Sequence, residues 1–211
     1  VNASGVTIDA ASNAGFVAAV NSRDITVRDL TLSNNSHGVA LVNTTGATVE
    51  NVSATHVSEQ GVLLAYVDDS TVANSTLADS GGADGIALEG SHENVVASNT
   101  VTNIAASLDS GIWIDNSDRN LIRNNSVVDT TLTTGIDVSY GHNNTIAWND
   151  VSRNRETAST GIHVGNAPDT TVLGNRVDEN SADGILVSNS ERFTVQNNLV
   201  RNNDLDGIGL Q

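Results

Sequence analysis

Apolar residues alternate with polar ones in short runs that return at a nearly fixed interval along the chain. Each run opens on glycine: Gly38-Val-Ala-Leu, Gly61-Val-Leu-Leu, Gly85-Ile-Ala-Leu, Gly111-Ile-Trp-Ile, Gly135-Ile-Asp-Val, Gly161-Ile-His-Val, Gly184-Ile-Leu-Val and Gly207-Ile-Gly-Leu. The spacings are 23, 24, 26, 24, 26, 23 and 23 residues. Eleven positions after each of the first seven glycines stands another apolar residue, running from Val49 and Val72 through Val96, Ile122, Ile146 and Val172 to Val195. Three positions further on, five successive repeats place Asn99, Asn125, Asn149, Asn175 and Asn198, each followed two residues later by valine. Runs of period two, rich in β-branched residues and punctuated by Gly and Asn, predict strands and tight turns, with no amphipathic helix.

Strands of about four residues that return in the same sense every 23–26 residues cannot be hairpins, because the repeating unit is a whole coil. The pattern predicts an all-β fold, a right-handed parallel β-helix of about eight to nine coils. Coils stack at roughly 4.8 Å, so equivalent positions touch and eight of them make a rod about 40 Å long. Ile86, Ile112, Ile136, Ile162 and Ile185 then form an inner column, and Asn99 to Asn198 form a ladder of paired amides. The whole chain, 1–211, reads as one domain. Phe16 occupies the glycine slot of the first coil, so residues 1–16 are expected to form an irregular, cap-like coil. Gln211 follows the Gly207 strand directly and leaves an open parallel edge, so the chain is expected to be part of a longer protein with further domains.

The pattern Gly-Ile-x-Val followed by Asn-x-Thr-Ile-x-x-Asn-x-Val, complete from Gly135 to Val151, resembles the β-helix repeats of the pectate-lyase-like superfamily. The similarity is to its NosD-like and carbohydrate-binding or sugar-hydrolase repeats in particular, and it extends over nearly the whole chain. The resemblance implies a fold more than an activity, since the repeat records stacking. Polysaccharide lyases and epimerases of this kind use Asp, His, Tyr and Arg groups. The paired Asp constellations and the Arg-x-Lys run of the pectin-hydrolase branch are absent here. The NosD name is tied to copper delivery, but the chain has no Cys and no Met to support that role.

Composition narrows the partners. With 25 acidic residues against nine arginines and no lysine, the formal net charge is −16. Such a chain repels nucleic acid and anionic lipid, and no apolar run approaches the length of a membrane helix. The Asp-rich, lysine-free composition resembles that of extreme halophiles, in which case low salt should destabilise the fold. Seven Asn-x-Ser/Thr sequons, at Asn2, Asn34, Asn43, Asn51, Asn74, Asn124 and Asn143, decide nothing, because this composition yields about five or six by chance.

Within Gly-Ile-x-Val the third residue points outward, so three consecutive coils present Trp113, Asp137 and His163 side by side. The next outward column adds Glu89, Asp115 and Ser139, and the following turn adds Tyr140. The two longest insertions, Asn103 to Ser110 and Ser152 to Thr160, precede the Trp113 and His163 strands, and the second carries Arg153 and Arg155. Trp113 suits stacking on a pyranose, Asp115 hydrogen bonding to sugar hydroxyls, and Arg153 and Arg155 pairing with a uronate. Asp137, His163 and Tyr140 suit proton transfer. His92, Asp118 and His142 stack in one turn but lack a fourth ligand, so no metal site is assigned. Asp183-Gly184 and Asp204-Leu-Asp206-Gly207 hint at calcium turns but miss the spacing of calcium-binding β-rolls; no cofactor is expected.

Three functions are compatible with these residues. The favoured one is an extracellular or cell-surface module that interacts with a polysaccharide or surface glycan. The others are a polysaccharide lyase, epimerase or hydrolase acting on an acidic glycan, and a structural rod of a surface protein.

Overall fold

The computed structural model describes residues 2–3, 6–9, 17–105, 109–131, 133–155 and 158–211. Phe16, most of the first coil and the tips of the two long insertions lie outside the described residues. The chain is wound into a parallel β-solenoid of about eight coils, all-β as the repeat predicts. Among the described residues, no helix is long and apolar enough to cross a membrane.

The coil that begins at Gly135 shows how the repeat becomes three faces. Strand Thr134–Ser139 lies on the first face, Thr145–Ala147 on the second and Asp150–Ser152 on the third. Each pairs in parallel with its equivalent one coil away, for example Ile136 with Ile112 on one side and Ile162 on the other. The first-face strands form one nine-stranded sheet. The other two faces are joined hydrogen-bonded stacks, because strands Thr26–Ser33 and Thr48–Thr55 keep their pairing on both sides of a corner that they too turn, at Asp29 and Asn51 with φ of 56° and 53°.

The corners are made by left-handed backbone. In this coil Tyr140, Asn143, Trp148 and Arg153 all have φ between 55° and 59°. Asn and Asp fill many equivalent positions because their short polar side chains tolerate this conformation best. The repeating glycine has a different cause. A Cβ on Gly135 would stand 2.4 Å from a methyl of Val151 across the coil and 2.7 Å from the carbonyl oxygen of Gly161 in the next coil. The same two clashes recur at Gly85, Gly111, Gly161 and Gly184, so glycine marks where opposite walls and successive coils converge.

The interior holds the predicted isoleucine column, fully buried from Ile86 to Ile185. Burying each such side chain contributes about 1.5–3 kcal/mol. The asparagine ladder sits at the corner between the second and third faces. Asn149 Oδ1 accepts the backbone N–H of Asn125 at 2.9 Å and its Nδ2 at 3.0 Å. Asn149 Nδ2 in turn donates to Ile122 O at 2.9 Å and to Asn175 Oδ1 at 3.0 Å. Two further ladders flank it, one through Asn94, Asn120 and Asn144, the other through Asn154, Asn180 and Asn203.

Asn149→Ala should cost several kcal/mol in a urea titration, since it strands the Asn125 donors and the Ile122 carbonyl at about 1–3 kcal/mol each. Asn149→Ser should cost less, because Ser75, at the ladder's first rung, already accepts the N–H of Val52 through its hydroxyl. Equal losses for the two variants would reject the ladder as the source of corner stability.

Candidate functional site

The parallel register of the first face puts the outward side chains of neighbouring coils directly against one another. Trp113 is paired with Asp137 and Asp137 with His163, as the repeat predicts. Asp115 lies in the adjacent outward column, in register with Ser139, which is followed there by Gly165 and Ser188. Asp84, Asp109, Ser110, Trp113 and Asp137 line a cleft of about 300 Å³ on this face. Asp109 and Ser110 come from the end of the first long insertion and form one side of the cleft.

Asp84 was not singled out from the sequence. It is 4% exposed, and its Oδ1 accepts the N–H of Ser110 at 2.7 Å. Burial pushes its carboxyl up to about 7, and the negative charges of Asp109 and Asp137 push the same way against the lowering by the Ser110 N–H. Asp109 is also raised, by burial and then by the charge of Glu59. One signal was available in the repeat: the next three residues in the column of Asp84 are Ser110, Thr134 and Thr160, all buried. An acid stacked on small buried hydroxyl residues differs from the exposed Asp of an ordinary Asp-Gly turn.

The other expected contacts are arranged differently. Arg153 makes a two-pronged pair with Asp129, at 2.7 and 2.8 Å. Arg155 pairs with Glu179 and lines a separate hollow with Asn180, Ser181, Asn202 and Asp204. Both arginines therefore serve acids one coil away rather than standing beside Trp113. Tyr140 sits in a left-handed turn and is 60% exposed, outside the cleft. Asp115 accepts a hydrogen bond from the amide of its neighbour Asn116 at 2.9 Å.

His92, Asp118 and His142 do stack, but as a chain of backbone caps. His92 Nδ1 accepts the N–H of Asp118 at 3.0 Å, and Asp118 Oδ1 accepts the N–H of His142 at 2.8 Å. These bonds engage Nδ1 of His92 and Oδ1 of Asp118. Asp183 Oδ1 is likewise taken by the N–H of Asp206, at 2.9 Å. Among the described residues, no group of three or more His, Cys, Asp or Glu is placed to hold a metal ion.

Fold and repeat together define a right-handed parallel β-helix protein of the pectate-lyase-like kind. The chain belongs to the NosD family: the family model described as periplasmic copper-binding protein (NosD) matches residues 2–160 and again 156–211. Among solved structures it is similar to the mannuronan C-5 epimerase AlgE6 A-module of Azotobacter vinelandii, at 18% identity and a TM-score of 0.74 over 90% of this chain and 60% of that one. It is also similar to the periplasmic alginate epimerase AlgG, at 19% identity and a TM-score of 0.62 over 87% of this chain and 43% of that one. The enzymatically active domain of bacteriophage CBA120 tailspike protein 2 shares 16% identity at a TM-score of 0.59, over 85% of this chain and 32% of that one. No curated protein is matched by sequence. The described residues do not fit a copper site: the chain has no Cys or Met to offer soft ligands, and no three of the described His, Asp and Glu are placed to hold a metal ion.

The buried acid makes stability depend on pH. Between about pH 4 and 7 the folded chain keeps on Asp84 a proton that the unfolded chain has released, so stability falls as pH rises through that window. Asp84→Asn keeps an oxygen for the Ser110 N–H and removes the ionisation. It should raise stability over the wild type by a few kcal/mol at about pH 8, from 1.36 kcal/mol per pKa unit, with the gain closing near pH 4. Thermal melts showing the same difference at both pH values would reject the buried, protonated carboxyl.

Proposed function

We propose that the first face binds a glycan, with Trp113 as the stacking platform and the carboxylates of the cleft as hydrogen-bond acceptors for sugar hydroxyls. The observation that carries this reading is the cleft itself, an indole set among Asp84, Asp109 and Asp137 on an outward face. A rod held together from within needs no such grouping outside. The charge of the site selects the glycan. The arginines expected to meet a uronate are paired with Asp129 and Glu179, and the chain carries −16 overall, so a neutral polymer is favoured over an acidic one. Glycan contact also accords with the polymer-acting epimerases among the similar structures, and the periplasmic description of the NosD model and of AlgG supports a place outside the cytoplasm, in the periplasm or at the surface.

Asp84 favours a second reading, in which the cleft also does chemistry on the bound polymer. A carboxyl poised near neutrality in the wall of the cleft can exchange a proton with a bound sugar.

A glycan array of neutral and acidic polymers tests both. Trp113→Ala should weaken binding by about 1–3 kcal/mol, and neutral glycans should outrank uronates. With catalysis, incubated polymer should shorten, and Asp84→Asn should stop this while binding persists. An array without binding would return the protein to the structural-rod reading.

A further inference from the structure

Next to the cleft, three side chains from three consecutive coils are joined by hydrogen bonds. Asp137 Oδ1 lies 2.9 Å from His163 Nδ1, and His163 Nε2 lies 3.0 Å from Ser188 Oγ. A carboxylate only accepts, so the neutral imidazole carries its proton on Nδ1 and offers the lone pair of Nε2 to the Ser188 hydroxyl, which donates to it. Asp137 is itself oriented by the hydroxyl of Ser139, which donates to Oδ1 at 3.0 Å. The side chains of Asp137 and His163 keep 20% and 25% exposure, enough shielding to hold the geometry and enough access for a small substrate.

Ser188 is not in the same column as His163. It lies in the next outward column, in register with Gly165, and the imidazole reaches it by lying over that glycine. A Cβ on Gly165 would stand 2.6 Å from Cε1 and 3.0 Å from Nε2 of His163. The three positions just before it in this column are Glu89, Asp115 and Ser139, all with side chains, and the glycine at 165 leaves room for the ring.

We propose that Ser188 is a nucleophile activated by His163 and positioned through Asp137, and that it cleaves acyl esters. The identity of the alcohol as a sugar hydroxyl rests on the glycan reading above; the nucleophile does not. Ser188 Oγ adds to the ester carbonyl carbon while its proton passes to His163 Nε2 and the carbonyl electron pair moves to oxygen. Reforming the carbonyl breaks the ester C–O bond, and the alcohol leaves with the proton from His163. Water, giving a proton to the same nitrogen, then adds to the carbonyl carbon of acyl-Ser188; the bond from that carbon to Oγ breaks as Oγ takes the proton back from His163, so the carboxylic acid leaves, Ser188 is restored, and ester and water become acid and alcohol.

The surrounding backbone limits the rate. The N–H of Asn189 is committed to Gln211 O and that of Asn166 to Ser188 O, so these groups do not converge on an oxyanion. One missing oxyanion donor costs about 10²–10³-fold in turnover. Covalent capture is therefore a more direct measure than turnover.

The test uses the full chain with a fluorophosphonate probe, p-nitrophenyl acetate and acetylated xylan. The probe should label Ser188, located by peptide mass spectrometry, at least about 100-fold faster than the half-buried Ser22, whose hydroxyl donates to a backbone carbonyl. His163→Ala and Gly165→Ala should each remove that advantage, the second by pushing the ring off Ser188 while the imidazole itself remains. His163→Gln provides a second variant if His163→Ala fails to fold. Labelling of Ser188 no faster than Ser22, or unchanged labelling in folded His163 and Gly165 variants, overturns the nucleophile whatever the glycan array shows. Acetate release from acetylated xylan, lost in Ser188→Ala, is the result expected for a sugar ester. Labelling and a p-nitrophenyl acetate burst without that release would overturn the sugar alcohol alone.

Discussion

Hydrogen bonding between equivalent positions one coil apart is the constraint on which the rest of the molecule depends. A solenoid with three faces must turn its backbone sharply several times per coil, and every turn removes peptide groups from the sheet ladders. Those groups are buried and must find partners. Asparagine solves this for both donor and acceptor at once: its oxygen takes the N–H and amide of the preceding rung, and its nitrogen satisfies a carbonyl left by the strand. Because the partner is always the same position in the next coil, each rung fixes the register of the two coils it joins. The inner isoleucines then stack without further specification, and the outer side chains fall into columns.

Those columns are where charge and chemistry lie. Most arginines close a gap to an acid one coil away, as Arg153 does with Asp129 and Arg192 with Asp169. Exposed pairs of this type contribute little individually. Their larger effect is on what remains: cations are used up along the turns, and the first face is left with carboxylates, an indole and an imidazole. The acidity of the cleft is therefore not a simple reflection of net charge. It follows from where the few positive groups are held.

The fold was legible because its contacts occur at a constant sequence separation. Gly135, Ile136 and Asn149 each announce their role by recurring, and the side-by-side placement of Trp113, Asp137 and His163 follows from the same arithmetic. The two flanking ladders through Asn120 and Asn154 are less plain in the sequence, because Thr170 ends the first and Thr130 and Ile104 stand before the second. What the repeat did not disclose was the direction of individual side chains. Nothing in the spacing says that Arg155 turns to Glu179, or that His163 leans across Gly165 to Ser188. Asp84 is a third case, since its burial depends on the wall brought by a neighbouring coil's insertion. Repetition reports the scaffold, and the site consists of departures from it.

The position of the insertions has a consequence for how such a protein can change. From each glycine to the third ladder nineteen positions later the count never varies, and the whole difference between 23- and 26-residue coils falls in the return to the first face. That return segment ends beside the outward columns, as Asp109 and Ser110 show at the cleft. Length and sequence there are uncoupled from the rungs that hold the coils together. The solenoid thus works as a rack with one adjustable shelf per level, and a loop of foreign sequence between Asn154 and Thr160 would stand next to His163 while the ladders above and below kept their partners.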